Sequence, residues 1–95
     1  MKTDVIVAQT RLLILTFLND MGGYEANEDT LDECLDYWGM KVSRDVVRTQ
    51  IRWLEEQGLI TLRDIDGYLV ARLTGRGEDV ATGQAMVPGV KRPRA

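Results

Sequence analysis

The sequence predicts an α+β domain, mainly α, with three helices, a two-stranded β-hairpin, a short fourth helix and an extended tail. Three observations carry this. Ser43 to Gly58 opens on a residue that caps helices and closes on a glycine that stops them. Directly after it, the apolar runs Leu59–Leu62 and Tyr68–Leu73 flank Asp66-Gly67, a pair suited to a two-residue hairpin turn. Upstream, two further segments with helical spacing end at glycines.

Asp4 is the expected N-cap of a first helix from about Val5 to Met21, ended by Gly22-Gly23. Its apolar residues (Val5, Ala8, Leu12, Leu13, Ile14, Leu15, Phe17, Leu18 and Met21) cover more than one stripe. Such a helix is packed on several sides, as a central core helix or one that lends a face to a partner. Tyr24 to Ala26 reads as a short connection. Asn27 then caps a second helix to about Trp38, with acids in the first turn, where the helix dipole favours them. Leu31, Cys34, Leu35 and Trp38 recur at i, i+3, i+4 and i+7 and form its expected core face. Glu28, Asp29, Asp32, Glu33 and Asp36 are expected on the opposite, wet side.

Ser43 caps the third helix, whose buried stripe is Val47, Ile51 and Leu54, flanked by Val46, Gln50 and Trp53. In the second hairpin run, Tyr68, Val70 and Arg72 alternate with Leu69, Ala71 and Leu73, so one face packs and the other is wet. Thr74 caps the fourth helix, about Gly75 to Thr82, which Gly83 ends. Val80 and Ala81 are its anchors, and so short a helix must dock to persist. Residues 1–83 thus make one domain, and 84–95 a basic, Pro/Gly-containing arm expected to be extended.

Composition narrows the function. The 95 residues are 44% hydrophobic and 28% charged, as in ordinary soluble domains. The longest apolar runs, Val5–Ala8 and Leu12–Leu15, are too short to span a membrane, and the N-terminus lacks the long apolar stretch of a signal peptide. One cysteine excludes an intrachain disulfide and suits a reducing, cytoplasmic setting. Without histidine there is neither the usual general acid–base group nor an imidazole–thiolate metal cluster, and no Gly-rich phosphate loop occurs. Cys34, on a core face beside acids, should have a raised pKa and be a poor nucleophile. An enzyme, a metal and a cofactor are therefore not expected.

Charge is segregated along the chain. The net charge is −3, yet residues 25–36 carry six acids and no base. Residues 41–52 carry Lys41, Arg44, Arg48 and Arg52 against Asp45, and Lys91, Arg92 and Arg94 have no acid near them in sequence. Arg44, Arg48 and Arg52, at i, i+4 and i+8, repel one another on one helix face that Thr49 extends. A polyanion would relieve that repulsion, and arginine and threonine are residues that read base edges. Arg63 and Arg72 on the wet hairpin face are candidate phosphate contacts, and Lys91, Arg92 and Arg94 candidate arm contacts. The competing reading pairs these cations internally, Arg48 with Asp45 and Arg52 with Glu55 or Glu56. Against DNA stand the acidic hairpin tip, Asp64-Ile65-Asp66-Gly67, and the acidic start of the second helix. The alternative function is a protein–protein adapter, with Glu28, Asp32 and Asp36 as the partner surface. A homodimer through the first or fourth helix fits either function.

The element order, with Val47-x-x-x-Ile51-x-x-Leu54-x-x-x-Gly58-Leu59-Ile60 and Leu73-Thr74-x-x-Gly77, resembles the winged helix-turn-helix superfamily of bacterial transcription regulators. Further strings are similar to small proteins of Mu-like phages and prophages, sometimes labelled regulators of the arsenic-repressor type. They are Gly23-Tyr24, Ala26-Asn27, Val42-Ser43-Arg44-Asp45, Glu56-Gln57-Gly58-Leu59 and Val87-Pro88-Gly89-Val90-Lys91-Arg92-Pro93. The resemblance implies a phage protein in a bacterial cytoplasm, whereas duplex-DNA binding with the helix starting at Ser43, as a transcription regulator or accessory factor, is the expectation from the arginine face described above. It implies no metal sensing here, since the thiolate and imidazole ligands are missing.

Overall fold

The computed structural model describes residues 2–94, and the side chains of residues 4–94. It is an α+β fold, mainly helical. Helix α1 (Lys2–Asp20) is followed by a 3₁₀ turn (Gly22–Tyr24), strand β1 (Glu25–Asn27), α2 (Glu28–Tyr37), α3 (Arg44–Glu56), β2 (Ile60–Ile65), β3 (Tyr68–Leu73) and α4 (Gly75–Thr82). Asp4 therefore sits inside the first turn of α1 rather than capping it.

The nearly all-round apolar character of α1 has a direct cause. This helix touches α2, α3, α4 and β3, so no single stripe could serve it. Ile14, Leu15 and Leu18 are fully buried, together with Leu31 and Leu35 of α2, Val47, Ile51 and Leu54 of α3, and Leu59 at the entry to β2. At about 25 cal/mol per Å² of apolar surface removed from water, this one contiguous core is the main force holding the helices to the sheet.

The sheet is antiparallel and three-stranded, in the order β1-β3-β2. The expected hairpin is present and longer than anticipated, because β2 runs to Ile65, opposite Tyr68. Asp66 and Gly67 both have positive φ, as a two-residue turn of matching twist requires, and Asp64 Oδ1 accepts from Gly67 N at 2.8 Å. The third strand was expected as a connection. Three residues are too few for a periodicity to register, and β1 exists only because β3 supplies the partner edge, Glu25 opposite Arg72 and Asn27 opposite Val70.

Capping of α2, α3 and α4 is as the sequence anticipates. Asn27, Ser43 and Thr74 each accept from a backbone N–H three residues on. Gly58 N–H bonds Glu55 O and Leu59 N–H bonds Leu54 O, the paired closure that a left-handed glycine makes at a helix end. No helix among the described residues is long and apolar enough to cross a membrane.

The tail departs from expectation. Rather than extending away, it buries Val87 and Val90 in the core cluster. Lys91 N–H bonds Ala8 O of α1, and Arg11 holds the turn between. Its guanidinium lies 3.6 Å above the Trp53 ring, donates through Nε to Gln50 Oε1 at 2.7 Å, and through Nη1 to Gly89 O at 3.1 Å. Gly89 has φ +98°, and a Cβ there would stand 2.9–3.0 Å from Arg11 and the Trp53 ring. Gly89→Ala should therefore release the tail while leaving the body folded. The check is limited trypsin digestion, where cleavage after Lys91 should speed up at least fivefold while far-UV circular dichroism is unchanged.

Candidate functional site

The most heavily committed side chain on the molecule is Glu28, the first residue of α2. Register explains its position. Pairing of β1 with β3 ends at Asn27 opposite Val70, and continuing it would set Glu28 opposite Leu69. There the chain turns into α2, and the Glu28 carboxylate replaces the missing strand carbonyl by accepting Leu69 N–H at 2.6 Å. Two arginines of α3 complete the arrangement. Arg48 donates Nε to Oε1 at 2.7 Å and Nη2 to Oε2 at 2.8 Å, a two-pronged pairing, and Arg44 donates Nε to Oε1 at 3.0 Å. Arg48 Nη2 also reaches Gly67 O of the hairpin turn at 2.6 Å, and Arg44 lies 5.1 Å from the Tyr68 ring centre while bonding Asp29 Oδ1 at 3.1 Å.

One carboxylate thus ties α2, α3 and the hairpin together. Its side chain is fully buried. The Arg48 hydrogen bonds, more than offsetting burial and helped by Leu69 N–H and Arg44, hold the Glu28 carboxyl down to about 2. The same contacts raise the guanidinium pKa of Arg44 and Arg48, Glu28 being the main cause in each case.

This corrects two expectations. Glu28 is not part of a wet acidic surface. It lies three residues before Leu31 and seven before Leu35, the spacing of the buried stripe itself, and that spacing was the signal for it. Arg48 pairs with Glu28 rather than with Asp45.

The candidate DNA contacts are dispersed by the fold. Arg44 and Arg48 face α2 and the hairpin. Arg63 pairs with Glu25 across β3. Thr49, Arg52 and Arg72 are exposed, and Arg52 makes no ion pair among the described residues, neither with Glu55 nor with Glu56. The outermost stripe of α3 is Asp45, Thr49, Arg52 and Glu56, at i, i+4, i+7 and i+11, all exposed. It carries two acids and one base, so the surface that would enter a groove is not cationic. Lys91, Arg92 and Arg94 are exposed on the docked tail.

On α2, Asp36 is exposed and Asp32 partly so, with Asp29, Glu33 and Tyr37 beside Asp36 on the outer face. Cys34 is half-buried, and burial followed by the charge of Glu33 pushes its thiol pKa up. Trp38, expected in the core, is 64% exposed. Helix α2 closes one residue earlier, Gly39 takes φ +82°, and Met40 N–H returns to Leu35 O at 2.8 Å. Met40, partly buried, then packs against the core instead of Trp38.

No family model matches the chain, and no solved structure matches it. Two curated proteins are similar to it. An uncharacterized protein of Haemophilus influenzae is 46% identical over 74 residues, covering 77% of this chain and 72% of that one. An uncharacterized protein, gp26, of Escherichia phage Mu is 53% identical over 94 residues, which is 99% of this chain and 97% of gp26. At that identity and coverage, the chain belongs to the family of the phage Mu protein gp26.

Proposed function

We propose that this member of the gp26 family is a non-catalytic docking protein, built as a winged helix-turn-helix and acting through protein contacts in phage development. Helices α2 and α3 form the helix-turn-helix in this reading, and the β2–β3 hairpin is the wing. The observation that carries it is the Glu28 cluster. Arg44 and Arg48, which would have to meet phosphate or base edges, are bonded to Glu28, to Asp29 and to the hairpin turn. Freeing them would leave Glu28 buried without its counter-charges, and that cost opposes any gain at a phosphate. The acidic turn residues Asp64 and Asp66 add repulsion where a duplex backbone would run.

A second reading, a transcription regulator or accessory factor that binds duplex DNA, is favoured by Thr49, Arg52 and Arg72, which are exposed on α3 and the wet hairpin face. One measurement separates the two. In fluorescence anisotropy with a 20-base-pair duplex over a salt series, the docking reading expects affinity weaker than about 10⁻⁴ M even at low salt, outside the usual nonspecific range. Tighter binding that falls linearly with log salt, and that Arg52→Ala weakens, would establish the DNA reading instead.

A further inference from the structure

We infer that the outer face of α2, ending in Tyr37 and Trp38, is the docking surface, and that its occupant is a basic segment of another protein carrying arginine or lysine beside apolar residues. The inference rests on the docking reading above and names its surface and partner chemistry. Tyr37 is 87% exposed and Trp38 64%, and their rings meet edge to face with centroids 6.3 Å apart. Two adjacent large aromatic rings in water are an unfavourable exposure that a partner would remove, and tyrosine and tryptophan are the side chains on which interfaces most often depend.

The surroundings select the partner. Asp29, Glu33, Asp36 and Tyr37 lie at i, i+4, i+7 and i+8 and are all exposed, so carboxylates, of which Asp29 is already paired with Arg44, lead along one face to Tyr37, whose ring meets that of Trp38. Asp32, Glu33 and Asp36 make no ion pair among the described residues. Asp36 also stands in the last turn of α2, where the helix dipole disfavours an anion, and that turn contains no base. The free chain therefore carries like-charge repulsion, an adverse dipole contact and exposed aromatic area at one place. A basic, partly apolar segment relieves all three, with a cation over the Trp38 or Tyr37 ring and its neighbours against the carboxylates. A nucleic acid or an anionic membrane would be repelled here. A second copy also exposes bases, Arg52, Arg72 and Arg76 among them, but its basic tail is not a free segment, since Val87 and Val90 are buried and Gly89 and Lys91 are bonded to Arg11 and Ala8.

The test uses the full chain labelled with ¹⁵N and a twelve-residue peptide of arginine, lysine and leucine, with a glutamate-for-base counterpart as control. The basic peptide should shift the Trp38 indole N–H and the backbone amides of residues 32–38, leaving the Trp53 indole in place. Trp38→Ala should weaken binding at least tenfold, Asp32→Lys with Asp36→Lys should abolish it, and the control peptide should cause no shift. Equal binding by Trp38→Ala would mean bulk charge attraction and would overturn the inference, as would shifts centred elsewhere or none at millimolar peptide. Trp38 shifts that depend on protein concentration without peptide would assign the face to a second copy and overturn it too. A parallel titration with the 20-base-pair duplex keeps the two proposals apart. Duplex-induced shifts along residues 44–56 would remove the docking reading itself, whereas a silent duplex with a silent peptide removes only the occupant named here.

Discussion

Replacing Glu28 with alanine should destabilise the protein by about 3 kcal/mol, the lower end of what removing one partner of a buried ion pair costs. The lower end applies because Arg44 and Arg48 remain partly open to water, where screening softens the loss of their counter-charge. What cannot be recovered is the Leu69 N–H, left in the interior with no acceptor, together with the space of the missing side chain. For a domain of this size, such a loss lowers Tm by roughly 12–24 °C. Asp36→Ala, on the outer face of the same helix, should change Tm by no more than a few degrees and serves as the matched control. Thermal and urea denaturation followed by circular dichroism measure both. Glu28→Gln keeps the volume and one acceptor and should fall between them.

The same carboxylate fixes an acid limit. Its folded pKa, about 2, lies below the ordinary glutamate value of 4.5. A depressed carboxyl contributes stability that is fully present above the unfolded value and is lost as pH falls through the folded one. The wild-type Tm should therefore decline steeply between about pH 4.5 and pH 2. Glu28→Gln should show a shallower decline across that window, since the group that titrates is absent. Parallel curves for the two proteins would mean that other carboxylates set the acid limit.

How far the molecule was legible from its residues depends on the range of the interaction that decided each part. Ser43, Thr74, Gly58, Gly83 and the Asp66-Gly67 turn act within a few residues of themselves, so α3, β3, α4 and the turn between β2 and β3 stand where their caps and spacing place them. Strand β1 depends on the edge of β3, more than forty residues away in sequence. Glu28 shows the same limit at the level of a site. Its glutamate identity suggested solvent, its spacing with Leu31 and Leu35 indicated burial, and only the arrival of Arg44, Arg48 and Leu69 makes burial affordable. The tail misled for a related reason. Proline, glycine and positive charge describe a solvated arm, but Val87 and Val90 join the core cluster, and Gly89 between them meets the Trp53–Arg11 stack assembled from α3 and α1.

Gly77→Ala tests whether α4 is held by steric fit or by helix propensity, and the two mechanisms give opposite signs. Propensity alone favours alanine inside a helix by about 1 kcal/mol. Sterics oppose it far more strongly. Gly77 is buried where α4 crosses the start of β2, and a Cβ there would lie 2.0 Å from Leu59 O and 2.7 Å from Leu73 Cδ1. The first contact is with backbone that has little freedom. Leu59 O accepts Thr74 N–H at 3.1 Å, and Leu59 N–H closes α3 on Leu54 O. Helix α4 must therefore lift away, which strains the Thr74 cap, where Oγ1 accepts Gly77 N–H at 3.0 Å and donates to Gly58 O at 2.8 Å. Lifting also draws Val80 and Ala81 out of the core. Overpacking costs about 1–3 kcal/mol where side chains can adjust, and more against backbone, so a net loss of about 3 kcal/mol is expected. Gly75→Ala, at a position with no atom within 4 Å of the added methyl, should be neutral or slightly stabilising. Denaturation midpoints for the two variants decide the matter, since equal effects at Gly75 and Gly77 would reject the close approach of α4 to Leu59. The spacing Leu73-Thr74-x-x-Gly77 then has a physical meaning. Leucine fills the core, threonine caps the helix, and glycine leaves room for the carbonyl beneath it.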